Sequence, residues 1–102
     1  MSAPIGLPWF HRDDYPDLRR MFTDGDRLPY IFDDWLQAAT ETYHQFQDLR
    51  LPVIQVLIQP DPFRAWCADK DLRPDYRARQ QFSSEVARTS SHHDGHVLAL
   101  CA

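Results

Sequence analysis

Pro52-Val53-Ile54-Gln55-Val56-Leu57-Ile58-Gln59-Pro60 is the stretch on which the fold turns. Two prolines bracket a run dominated by Val, Ile and Leu, a composition that suits a pleated, half-buried segment and is short enough for a strand. Alternation puts Ile54, Val56 and Ile58 on the core face, with Gln55, Leu57 and Gln59 opposite. A strand needs a partner, because buried amides and carbonyls left unpaired are costly. No second segment carries an equal signal. The partner is therefore expected among Arg27 to Ile31, His96 to Cys101, the lead-in Ile5 to Phe10, or the same strand of a second copy, which would make an antiparallel homodimer across a two-fold axis.

Helical patterns surround this strand. From Phe32 to Arg50 the apolar residues Phe32, Trp35, Leu36, Ala39, Tyr43, Phe46 and Leu49 step by three or four along one stripe, with Asp33 and Asp34 at the positive end of the helix dipole. Tyr15, Leu18 and Phe22 predict a shorter helix from Asp13, stopped at Thr23-Asp24-Gly25-Asp26 by a glycine free to turn left-handed. Asp61-Pro62 reads as a capping residue followed by a first-turn proline, opening a helix of about two turns whose apolar face is Phe63, Trp66 and Cys67. A last helix is expected from Pro74 to Thr89, with Ala78, Phe82 and Val86 inward. The class is α+β and mostly α: about four helices around one central β-strand that pairs with a short segment or with its copy in a homodimer. Residues 1–90 are expected to form a single globular domain and residues 91–102 a C-terminal tail. No repeating βαβ pattern supports a nucleotide-binding parallel sheet.

Composition narrows the function. With 102 residues the chain has room for one core, and 43% hydrophobic against 25% charged residues excludes the disordered classes. No apolar run approaches the roughly 20 residues of a membrane helix, and no basic segment precedes an apolar stretch at the N-terminus, so no membrane and a cytoplasmic location are expected. A net charge of −4 opposes the phosphate backbone and disfavours nucleic acid. The acidity is lopsided, with nine acids and five bases in residues 1–50 but six of each in residues 51–102. Ten arginines accompany the one lysine, Lys70, which suits fixed two-toothed pairing with carboxylates. Two cysteines, Cys67 and Cys101, do not make a disulfide framework and fit a reducing compartment.

Several groups of residues are candidates for chemistry. Asp13, Asp14 and Asp17, with Asp24, Asp26, Asp33 and Asp34, crowd the N-terminal third; their spacing matches no calcium loop and suits helix ends and turns. Arg73, Arg77 and Arg88 are expected along one side of the last helix, too few for a nucleic-acid surface and suited to pairing with the acidic half or with an acidic partner. His92, His93, Asp94 and His96 form the densest set of potential metal ligands, with Cys101 as a conceivable fourth member, although a solvated tail explains them as well. Cys67 with His44 would make a nucleophile and base if they met in space; packing is the plainer reading of both. No phosphate loop, dinucleotide fingerprint or nucleophile elbow is present, and three glycines leave little for a phosphate cradle.

The run Phe32-Asp33-Asp34-Trp35-Leu36, the strand Val53 to Pro60, Phe63-Arg64-Ala65-Trp66-Cys67, Ala78-Arg79-Gln80-Gln81-Phe82 and Glu85 resemble a family of small bacterial proteins with no assigned activity. Pro8-Trp9-Phe10 and Asp14-Tyr15-Pro16 are similar too. The resemblance spans roughly residues 8 to 88 and implies a bacterial source, with no cofactor or catalytic residue to carry over. The expectation is a non-catalytic accessory or protein-interaction domain with an acidic face, a phage- or mobile-element-encoded inhibitor being a special case. The alternative is a small metal-binding protein or enzyme built on His92, His93 and His96 or on Cys67 with His44.

Overall fold

The structure, a computed structural model, describes residues 4–90. The element order is β1 (Ile5–Trp9), α1 (Tyr15–Met21), a 3-10 turn (Gly25–Arg27), α2 (Phe32–Asp48), β2 (Val53–Leu57), α3 (Pro60–Lys70) and α4 (Tyr76–Ser90). The fold is thus mostly helical, with four α-helices and a two-stranded sheet among the described residues.

The partner of β2 is the lead-in. β1 and β2 run parallel in the register Ile5↔Val53 through Trp9↔Leu57. Parallel neighbours need a long crossover, and α1 and α2 supply it, so one βαβ unit exists where composition gave no repeating pattern. Each described strand has an outer edge, so β2 is not flanked by strands on both sides. The ladder explains Pro8. Ile5 N–H donates to Pro52 O and Ile58 N–H donates to Trp9 O, each at 2.8 Å. Alternation then aims the backbone groups of Ile5, Leu7 and Trp9 at β2 and those of Gly6 and Pro8 away, where a missing N–H costs the ladder nothing.

Helices cover both faces. On one, Gly6 lies so close to α4 that a Cβ there would sit 2.1 Å from the Ser83 carbonyl oxygen and 3.2 Å from the Ala87 Cβ. Val56 and Ile58 are buried on this side, as the alternation predicts. On the other, Trp9 meets α2 edge-on, 5.3 Å from Trp35 and 6.2 Å from Tyr43 between ring centroids. Beyond the strand ends Phe10, Tyr15, Leu18, Phe22, Trp35, Ile58, Phe63, Cys67 and Ala78 form the core.

Four local expectations are corrected. Gly25 is not left-handed; it is needed because a Cβ there would fall 1.8 Å from the Arg19 carbonyl oxygen, and α1 stops where Phe22 turns extended (φ −69°, ψ 134°). Helix α3 begins at Pro60 with Gln59 as its cap, two residues ahead of the expected Asp61-Pro62 start, and the strand ends at Leu57. Leu49 lies past the end of α2 and is 68% exposed. On α4, Arg79, Ser83 and Ala87 are buried beside Ala78, whereas Val86 is only partly so. Ser83 and Ala87 face the sheet there because small side chains permit the close approach at Gly6.

Candidate functional site

Two hollows and one internal ion pair hold the groups with chemical potential. The first hollow, about 190 Å³, opens at the C-terminal ends of the two strands. Trp9 and Leu57 end β1 and β2, and with Phe10 and Phe32 they form its apolar walls. His11, Arg12 and Gln55 supply its polar groups. Arg12 Nη2 donates to Asp33 Oδ1 at 2.7 Å, and the guanidinium carbon stands 4.8 Å from the Phe32 ring centre. Both members of that pair are well exposed, so water screens it.

The second hollow, about 360 Å³, lies where the starts of α1 and α3 meet and is lined by Asp14, Asp17, Gln59, Pro60, Asp61 and Pro62. The fold therefore joins two of the sequence-selected carboxylates, Asp14 and Asp17, to Asp61 from a distant stretch. Arg20 donates to Asp17, and Arg64 donates to Asp61 at 2.9 Å, so two of the carboxylates are partly neutralised. Asp13 is exposed just before α1.

The ion pair was not anticipated as such. Arg79 Nη1 and Nη2 reach Asp24 Oδ1 and Oδ2 at 2.8 and 2.9 Å, across 55 positions of sequence, with Arg79 only 4% exposed. Its guanidinium also stands 4.4 Å from the Phe22 ring centre. The hydrogen bonds from Arg79 hold the Asp24 carboxyl below its ordinary value, against an opposing push from burial. Two-toothed pairing of an arginine with the acidic half is thus realised, by an arginine outside the set singled out for it. A preference for Arg over Lys was the signal available in the sequence; nothing local marks Arg79 itself.

The remaining candidates are dispersed. Arg73 precedes α4 and does not belong to it, while Arg77 in its first turn and Arg88 in its last are exposed. Cys67 is buried in the core, and burial, then the charge of Asp75, pushes its thiol upward, the reverse of what a nucleophile needs. His44 is exposed on α2 beside the Tyr43 ring, and no described hydrogen bond joins it to Cys67. Among the described residues no group of three or more His, Cys, Asp or Glu is arranged to hold a metal ion. His92, His93, Asp94 and His96 lie outside the described residues. No described helix is long and apolar enough to cross a membrane. No protein-family profile, curated protein or solved structure matches the chain.

Proposed function

We propose that this chain is a non-catalytic protein-interaction domain that presents an acidic face to a basic protein partner. The observation that carries the reading is the cleft where Asp14 and Asp17 of the α1 start stand with Asp61 of the α3 start. Asp13 lies beside it in sequence and is exposed, so four carboxylates share this region with two guanidiniums, those of Arg20 and Arg64. An excess of negative charge steers and orients a basic partner more than it adds affinity. The buried thiol, and the use of Phe10, Phe22, Trp35 and Phe63 as filling, favour binding over catalysis.

The test is an interaction measured with purified components, after a partner has been isolated at low salt and identified. Asp13→Lys, Asp14→Lys and Asp17→Lys combined should weaken binding at least about tenfold and flatten its dependence on salt. Undiminished affinity in that variant, in a chain whose folding is intact by circular dichroism, rejects the acidic face.

A second reading is a homodimer. Strand parity turns the backbone of Val53 and Leu57 outward, and β2 carries no charge or internal proline of the kind that blunts strand edges. Antiparallel pairing about Gln55 would set Val53 opposite Leu57. Sedimentation equilibrium should then show a dimer that Val53→Lys dissociates; a monomer at roughly 100 μM, where associations of useful affinity are populated, refutes it.

A further inference from the structure

We infer that the hollow at the strand ends is a binding site for a small organic anion with a flat apolar body and one carboxylate, an aromatic monocarboxylate in chemical class. Three observations converge. The first is position: in parallel α/β arrangements the crevice beyond the carboxyl ends of the strands is where ligands settle, because loops and side chains diverge there. Here the space lies beside Trp9 and Leu57, the last residues of both strands.

The second is the wall chemistry. Trp9 and Phe32 give the hollow aromatic surfaces, and ring edges and faces favour a planar guest. These rings are also fixed in place. Trp9 leans on Trp35 and Tyr43, and Phe32 is 5.3 Å from Trp35, so the walls are preorganised and little ordering cost falls on binding. At about 190 Å³ the space is below the roughly 300 Å³ at which drug-sized sites begin. It is of the size of a single-ring compound.

The third is charge. Arg12 is held over Phe32 and gives Asp33 one nitrogen only, so its fork retains donors for a second carboxylate. His11 borders the same space and adds hydrogen-bonding capacity. Asp33 competes with an incoming anion for Arg12, and that competition supplies the sharpest test: removing the Asp33 charge should tighten binding, an effect that a merely structural Arg12–Asp33 pair does not produce.

Benzoate is the probe, titrated into the full ¹⁵N-labelled chain at constant ionic strength, with benzamide as the neutral control. Saturable shifts are expected at the Trp9 indole N–H and the Gln55 side-chain amide, with Kd in the millimolar range or tighter, as suits so small a ligand. Benzamide and the Arg12→Gln variant should each bind at least about tenfold more weakly, since a charge-assisted fork is lost. Asp33→Asn should bind roughly two- to fivefold more tightly, the scale of an exposed ion pair. Arg12 and Asp33 are exposed, so both variants should keep the melting temperature within a few degrees. No saturable shift by about 20 mM benzoate, far above the expected Kd, overturns the inference. Equal binding of benzamide, an unchanged Kd in Arg12→Gln, or shifts centred on Asp14 and Asp17 would overturn it as well. The acidic-face reading stands or falls separately, on protein binding by the Asp13, Asp14 and Asp17 variant.

Discussion

Arg79 carries a guanidinium into a site with 4% exposure, and the two-toothed bond to Asp24 with the nearby Phe22 ring is what makes that tolerable. Breaking such a pair leaves an uncompensated buried charge. Asp24→Ala is expected to cost about 3 kcal/mol, toward the lower end for buried pairs because the Asp24 side chain keeps 22% of its exposure. The sign of the pH dependence follows from the lowered Asp24 value. Its contribution is full above the ordinary aspartate value near 3.8 and is lost as the pH falls through the depressed folded value. Urea midpoints measured below about pH 4 should therefore drop more steeply for the natural chain than for Asp24→Asn. A pH profile unchanged by that substitution would contradict the assignment. The burial of Phe22 and Ala78 was legible from helical spacing; that of Arg79 was not, because a charged residue between Ala78 and Phe82 reads as solvent-facing until its partner is brought across the fold.

At the scale of elements, α2 and α3 end alike. Arg50 (φ 60°) and Asp71 (φ 56°) are left-handed, and each helix closes with paired bonds. Arg50 N–H donates to Gln47 O and Leu51 N–H to Phe46 O; Asp71 N–H donates to Ala68 O and Leu72 N–H to Cys67 O. These are the reciprocal bonds that satisfy the last carbonyls of a helix, and glycine is the residue best suited to the left-handed position. Arg50→Gly should stabilise the chain by about 0.5–1 kcal/mol, and Asp71→Gly by less, since aspartate tolerates that conformation better. Chemical denaturation of the two variants decides the ranking. The start of α4 was also readable, although the cap is Asp75, whose Oδ1 accepts from Ala78 N–H at 3.0 Å. The start of α3 was misplaced because two prolines two residues apart, Pro60 and Pro62, offer equal first-turn signals, and the choice between them depends on where β2 leaves the sheet.

Across the whole molecule, α4 and α2 enclose the sheet from opposite faces, and the closeness of the α4 side depends on Gly6. Gly6→Ala sets a methyl against backbone that cannot rotate away, so it should destabilise by about 1–3 kcal/mol or more and loosen α4 from β1. Faster hydrogen exchange along α4 would report that loosening, and an unaltered midpoint would contradict the packing. The sequence by itself determined the helices and β2, because periodicity, β-branching and proline brackets act within a few residues and are written along the chain. It also carried the acidic bias of the first half and the arginine preference that underlies the Asp24 pair. Only the tertiary structure decided that Ile5–Trp9 is the strand partner, that Arg79 meets Asp24, and that Trp9, Arg12, Phe32 and Gln55 surround one hollow. Those are meetings of segments tens of residues apart, set by burial and backbone pairing across the whole core, and no local spacing encodes them.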